Sequence, residues 1–316
     1  MSDSEQDAAS GRAPSLGDVM DERRRLLALA YRMTGTLADA EDVVQETYVR
    51  WYRMSDDERA DIRNPAGWLT RVASRVALDQ LTTARARRER YVGEWLPEPV
   101  PADLFAGTAP ASGTSVTAHA ATEDPLDRAV RDDAVSTALL VVLEAMTPAE
   151  RVAFVLHDVF AVPFDEIAEV VGRSPAAVRQ LATSARRHVE QQRAVAVPRA
   201  EHDATVRAFA AATRDGDLDA LMRVLAPGVT LRSDGGGRVR AARNAIVGVD
   251  HVARFLLGVM AKQPSLVFEE VVTPDGLAFG ARAGDAFYGV LSAAVVDGKV
   301  RDIWLVVNPD KLSSWV

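Results

Sequence analysis

From about Leu16 to Tyr91, apolar residues return every three or four positions with no strand-like alternation, and the spacing predicts a run of helices. Between Gly93 and Asp124 the pattern stops. Pro, Gly, Ala, Ser and Thr dominate there, and Pro97, Pro99, Pro101, Pro110 and Pro125 interrupt any helix, so the stretch reads as a linker. Helical periodicity returns from about Leu126 to Gln192, and Val195 to Ala200, with Pro198, marks a further boundary. Helices over Ala204–Ala212 and Leu218–Leu225 then give way to runs rich in valine and aromatics at Val267–Val272, Leu277–Ala281, Ala286–Val296 and Val300–Val307. Pro274-Asp275-Gly276, Ala283-Gly284-Asp285 and Asp297-Gly298-Lys299 separate these runs as hairpin turns. Helices followed by an antiparallel sheet predict an α+β unit. The expected division is a helical unit over 16–92, a linker over 93–125, a second helical unit over 126–193 and the α+β unit over 200–316.

In the first unit, Asp39 is placed to cap a helix whose inner face carries Val43, Val44, Thr47, Tyr48 and Trp51. Glu41, Asp42, Gln45 and Glu46 are left for a partner, although an ordinary helix with a solvated acidic face has the same spacing. Asn64 as cap and Pro65 at the first position open another helix, which buries Trp68, Leu69, Val72, Val76 and Leu81. Arg71 and Arg75 fall on its other side. Arg85, Arg87, Arg88 and Arg90 follow, then Tyr91: cations that neutralise phosphates, beside an aromatic able to stack on an unpaired base. A solvated basic helix end accounts for them equally well.

In the second unit, Thr147-Pro148-Ala149-Glu150 is a capping box. Phe164 to Val171 forms a short helix ended by Gly172, and Ser174 with Pro175 opens a longer one to about Gln191, which together make a helix-turn-helix. Val178, Leu181 and Ala185 share its buried side, and Arg179, Gln180, Thr183, Ser184, Arg186 and Arg187 point outward. Residues near the start of such a helix reach base edges and later arginines hold phosphates, which assigns Arg179 and Gln180 to bases. Repressors and activators use this pattern as well.

Composition narrows the possibilities. A chain of 316 residues, 48% hydrophobic and 26% charged, has room for two or three packed domains. The absence of cysteine excludes disulfides, iron–sulfur clusters, thiolate zinc sites and thiol-based redox sensing. No apolar run is long enough to span a bilayer and the first residues are acidic, so a cytoplasmic location is expected. The five histidines lack zinc-binding spacing, and neither metal nor cofactor is expected. A net charge of −8 opposes strong free-standing DNA binding, yet arginine clusters at 85–90 and again at Arg173, Arg179, Arg186, Arg187 and Arg193. Local basic faces on an acidic chain point to DNA binding assisted by a partner.

The acidic helix, Asn64-Pro65-Ala66-Gly67-Trp68-Leu69, Arg75-Val76-Ala77-Leu78-Asp79 and the arginine-rich tail together resemble the second conserved region of extracytoplasmic-function sigma factors. The later helix-turn-helix resembles their fourth region. The resemblance implies that Asp39, Glu41, Asp42, Gln45 and Glu46 face the β′ clamp helices of core RNA polymerase. It also implies that Arg71, Arg75, Arg85, Arg87 and Arg88 face a melted −10 element, from which a base is flipped. The second unit would bind the β flap and read the −35 element through Arg179, Gln180, Ser184, Arg186 and Arg187. About 30 linker residues extend to ~100 Å and two turns of DNA span ~70 Å, so both units can reach one promoter.

Three short motifs extend the resemblance: Trp95-Leu96-Pro97-Glu98-Pro99, Asp234-Gly235-Gly236-Gly237-Arg238 and Asn308-Pro309-Asp310-Lys311-Leu312. They are similar to the signature of sigma factors carrying a SnoaL-like extension, a cone of the nuclear transport factor two type, with Arg238 where lysine is usual. That implies a multidomain chain of two all-α sigma domains and an α+β cone. The cone would modulate the sigma domains by contact with the first unit or the linker, in place of a separate anti-sigma protein. Two alternatives stay open: a one-component helix-turn-helix regulator with a ligand-sensing domain, and a SnoaL-like isomerase or hydrolase using Asp234, His251 or Asp302. Those three form no recognisable catalytic pair, so no enzyme activity is expected; an unknown small-molecule ligand of the cone remains open.

Overall fold

The computed structural model describes residues 16–88, 91–105, 136–192 and 197–316. The first unit comprises α1 (Leu16–Thr34), α2 (Leu37–Arg53), a short α3 (Asp56–Ala60) and α4 (Pro65–Arg88). As the sequence predicts, Asn64 opens α4, its Oδ1 accepting the Gly67 N–H at 3.0 Å. The cap of α2 is Thr36 and not Asp39. Thr36 is the last residue with extended backbone, and its hydroxyl oxygen accepts the Asp39 N–H at 3.3 Å, which puts Asp39 in the first helical turn.

The second unit comprises α5 (Thr137–Glu144), α6 (Pro148–Phe154), a π-helical turn (Val155–Val159), α7 (Phe164–Val171) and α8 (Pro175–Gln192). The capping box of Thr147 and Glu150 is formed, and Gly172 ends α7 at φ +68°, where only glycine is unstrained. The helical stretch predicted over 126–135 lies outside the described residues.

These two units share one continuous apolar core, in which Leu29, Met33, Val43 and Ala77 of the first join Leu140, Leu143, Phe154 and Ile167 of the second. Polar contacts reinforce the seam. The Arg32 guanidinium lies 5.4 Å from the Phe160 ring centre, Arg151 Nε donates to the Arg32 carbonyl at 3.4 Å, and Arg71 pairs with Glu169 at 3.2 Å. Burial lowers the Arg32 pKa to about 10, which reflects how dry this seam is.

The third unit comprises α9 (Arg199–Asp215), α10 (Leu218–Val224) and α11 (Val249–Lys262) packed on a sheet of β1 (Leu225–Asp234), β2 (Ile246–Val247), β3 (Leu266–Thr273), β4 (Gly276–Ala283), β5 (Ala286–Val296) and β6 (Lys299–Val306). Strand order is β2-β1-β6-β5-β4-β3. The three predicted hairpins form, but the sheet is mixed: β1 runs parallel to β6. Pro227 and Gly228 disguise β1 in the sequence, and they coincide with a register shift between Leu225 and Thr230.

Alternation along the strands gives the sheet two buried faces. The inner face carries Leu231, Leu277, Leu291 and Ile303 against Val206, Phe209, Leu221 and Val252 of the cone's own helices. The outer face carries Ala278, Val290, Trp304 and Val306, and is covered by Leu96, Leu312 and, from α5, Ala138 and Val141. The predicted linker is therefore packed at its start: Leu96 through Val100 are all buried. Among the described residues no helix is long and apolar enough to cross a membrane.

Candidate functional site

Residues 91–99 lie between the outer sheet face and the α1–α2 corner, and the three motifs meet there. Asp234, fully buried at the end of β1, accepts the Tyr91 hydroxyl at 2.5 Å and the Gly236 N–H at 2.9 Å on one oxygen. Its other oxygen accepts the Leu96 N–H at 3.0 Å and Lys311 Nζ at 2.8 Å. Lys311 also donates to the Leu96 carbonyl at 2.5 Å, and its ammonium sits 3.9 Å from the Trp95 ring centre and 5.4 Å from that of Tyr91. A buried ion pair is tolerable only when such bonds satisfy both charges. Burial first, then the Asp234 carboxylate, pushes the Tyr91 hydroxyl far above its ordinary pKa, so it stays a neutral donor.

The remaining motif residues shape this site. Asn308 donates to the Tyr91 hydroxyl oxygen at 3.0 Å and accepts the Asp310 N–H at 3.1 Å, opening a 3₁₀ turn over Pro309–Lys311. Gly235 and Gly236 permit the close approach. A Cβ on Gly235 would lie 2.2 Å from the Val239 carbonyl oxygen, and one on Gly236, at φ +63°, would lie 2.5 Å from the Asn308 side chain. Gly237 also has positive φ. Arg238 pairs with Asp310 at 3.0 Å on an exposed rim, a contact that a lysine could also make.

From the same segment, Glu98 reaches the first unit. Its N–H donates to the Gly35 carbonyl at 2.8 Å, its carbonyl accepts the Tyr31 hydroxyl at 2.5 Å, and its carboxylate accepts the Leu37 N–H at 2.8 Å, at the start of α2. Burial raises the Glu98 pKa, opposed by the Leu37 N–H and by Lys311. The Pro99 carbonyl accepts the Trp315 indole N–H at 2.8 Å, and Pro97 is buried beside it. A further contact, to the second unit, has no signal in the sequence. Asp275, in the β3–β4 turn, accepts the Thr137 N–H at 2.8 Å and the Thr137 hydroxyl at 2.5 Å, at the start of α5. No local pattern signals a bond between residues 138 positions apart.

The predicted partner-facing residues are distributed unevenly. On α2, Glu41, Asp42 and Gln45 are exposed, Glu46 pairs with Arg50 at 2.8 Å, and Asp39 takes the Thr36 hydroxyl at 2.8 Å. Arg75 is exposed on α4 while Arg71 is bound to Glu169. The side chains of Arg85, Arg87 and Arg88, and all of Arg90, lie outside the described residues. Arg179, Gln180 and Arg187 are exposed on α8. Arg186 donates to the buried Asp158 at 2.5 Å, and Ser184 bonds to Glu150, so both are engaged within the unit. Tyr91 is bound to Asp234 and not displayed for a base.

The candidate acid–base residues are not brought together. Asp234 and Asp302 lie on the outer side of the sheet, away from the helix-lined interior of the cone, and Asp302 is held between Arg301 at 2.7 Å and Arg232 at 4.0 Å. His251 is exposed, its Nδ1 3.1 Å from the Val247 carbonyl. Among the described residues no cluster of His, Asp and Glu could hold a metal ion.

The family model for sigma-70 region 2 matches residues 19–87, and that for sigma-70 region 4 matches residues 136–189. The chain is 42% identical over 303 residues to the ECF RNA polymerase sigma factor SigJ of Mycobacterium tuberculosis, covering 92% of this chain and 91% of that one. The chain belongs to the ECF RNA polymerase sigma factors. The probable ECF sigma factor SigI of the same species is 38% identical over 295 residues, with 92% of each chain covered. The crystal structure of M. tuberculosis SigJ superposes with a TM-score of 0.70 at 36% identity, covering 95% of this sigma factor and 99% of that chain. The sigma factor therefore carries both promoter-recognition domains, with the α+β cone following them, and it directs RNA polymerase to promoters. A region 2 domain ahead of the helix-turn-helix disfavours the one-component regulator.

Proposed function

We propose that this arrangement is the resting state of the sigma factor, and that the cone holds it closed until polymerase and promoter draw the sigma domains apart. The observation that carries this reading is the single core shared by the two sigma units. Promoter elements two turns apart are ~70 Å from one another, a distance that units packed side by side cannot span. Three contacts then have to break: the seam, with its Arg71–Glu169 pair; the Lys311–Asp234 network on Trp95–Pro99; and the Asp275 bond to α5.

In the open state, Asp39, Glu41, Asp42, Gln45 and Glu46 engage the β′ clamp helices and the second unit engages the β flap. Arg71, Arg75, Arg85, Arg87 and Arg88 hold the −10 region; Arg179 and Gln180 read bases of the −35 element, while Arg187 holds its phosphates, joined by Arg186 through the guanidinium nitrogens that Asp158 leaves unbound. The three motifs, from Trp95–Pro99, Asp234–Arg238 and Asn308–Leu312, form the regulatory contact. The cone acts here by contact and not by catalysis, and the protein works in the cytoplasm with the transcribing enzyme.

Transcription with purified core polymerase tests the reading. A chain ending near Val197 and one ending before Asn308 should both bind core, and their promoter output should differ from that of the full chain. Unchanged output from both truncations would remove the regulatory role, and failure of the full chain to bind core would remove the polymerase-facing assignments of α2.

A further inference from the structure

A π-helical turn over Val155–Val159 joins α6 to the segment leading into α7, and such turns are frequent at functional positions. Its extra residue aims two consecutive side chains, His157 and Asp158, at the elements of the helix-turn-helix. Asp158, buried, takes the Nε–H of Arg186 in the second half of α8 at 2.5 Å. His157 lies flat against Phe164, the first residue of α7, with ring centres 3.8 Å apart and planes inclined by 28°. The His157 ring is held by Nδ1, 3.1 Å from the Val162 carbonyl. On Phe164 rests the Arg179 guanidinium, 5.4 Å from the ring centre. Phe164 thus contacts both the imidazole and the guanidinium, and Arg179 itself is exposed.

An exposed arginine otherwise samples many rotamers, and freezing them on binding costs side-chain entropy. A ring against the guanidinium restricts those rotamers before DNA arrives and leaves N–H groups for two acceptors on one base. We infer that Phe164, backed by His157 on the π-turn, is a positioning residue for −35 recognition: it orients Arg179 to read a base edge in the major groove. Phe164 touches no DNA; it acts through Arg179. This inference rests on the assignment of Arg179 to base reading. The base class it fits is one presenting two major-groove acceptors, a guanine.

The test uses holoenzyme made with the full chain and a promoter library randomised over the −35 element. Arg179→Ala should erase preference at one position, by about tenfold. Phe164→Leu keeps an apolar side chain in the same place but removes the ring, and should weaken preference at that same position by about three- to fivefold. Preference at the other −35 positions, −10 preference and core affinity should stay as they are. Phe164→Tyr should restore the preference, and Phe164→Leu added to Arg179→Ala should cause no further loss. A uniform fall in output over all −35 sequences for Phe164→Leu, or an unchanged preference beside a clear Arg179→Ala effect, overturns the positioning role while leaving Arg179 as a reader. No positional change in Arg179→Ala overturns both.

Discussion

The two faces of the cone's sheet are built from the same strands but closed by different parts of the chain. The inner face is sealed by α9, α10 and α11, which belong to the same unit. The outer face is sealed by Leu96 of the segment after α4, by Ala138 and Val141 of α5 and by Leu312 near the end of the chain. An element that is covered by its own unit stays covered whatever the other units do. A face covered in part by the segment after α4 and by α5 stays fully covered only while those elements remain docked. The inner face is thus a folding core, and the outer face is an interface that the rest of the protein can give up.

Substitutions on the two sides should differ in kind. The largest loss is expected from Phe209→Ala on the inner side, where the ring is 1% exposed: about 3–5 kcal/mol, seen as a lower midpoint for unfolding of the cone. Lys311→Met on the outer side strips Asp234 of its countercharge and should weaken docking by about 3 kcal/mol. Hydrogen exchange at the Leu96 and Glu98 amides should then rise while the strands of the inner face keep their protection. If exchange rises equally on both faces, the distinction between core and interface is wrong.

Glu98→Gln should have the smallest effect and changes only the pH response. The Glu98 pKa is raised by burial, so the docked state favours the protonated acid. That contribution is complete below the ordinary glutamate pKa and fades as pH climbs through the raised value. Docking of the native protein should therefore tighten on acidification through the window just above the ordinary carboxylate range. The glutamine variant, followed by the same amide exchange, should lose that dependence.

Helices with local punctuation are legible in the sequence: Asn64-Pro65, the Thr147–Glu150 box and Gly172 each mark an end that the structure keeps. Asp39 misleads because Thr36, three residues earlier, offers the same chemistry and is where the extended backbone ends. Strand β1 is hidden because Pro227 and Gly228 interrupt its alternation where the strand is bulged. The proline-rich start of the predicted linker reads as solvated because proline breaks helices; yet Pro97 and Pro99 have no N–H to satisfy, which makes the segment easy to bury. The three motifs meet at one site, and their separation in the chain gives no sign of it. The bonds of Asp275 to Thr137 and of Asp158 to Arg186 join residues far apart in the chain, and nothing in their neighbours announces them.

Among the buried polar groups of the outer face, the indole N–H of Trp304 finds no acceptor among the described residues. Sealed there it forgoes a bond that water would supply, a penalty of about 1–3 kcal/mol that undocking relieves. One dissatisfied nitrogen keeps the clasp from becoming a weld, so that polymerase and promoter need only modest persuasion to undo it.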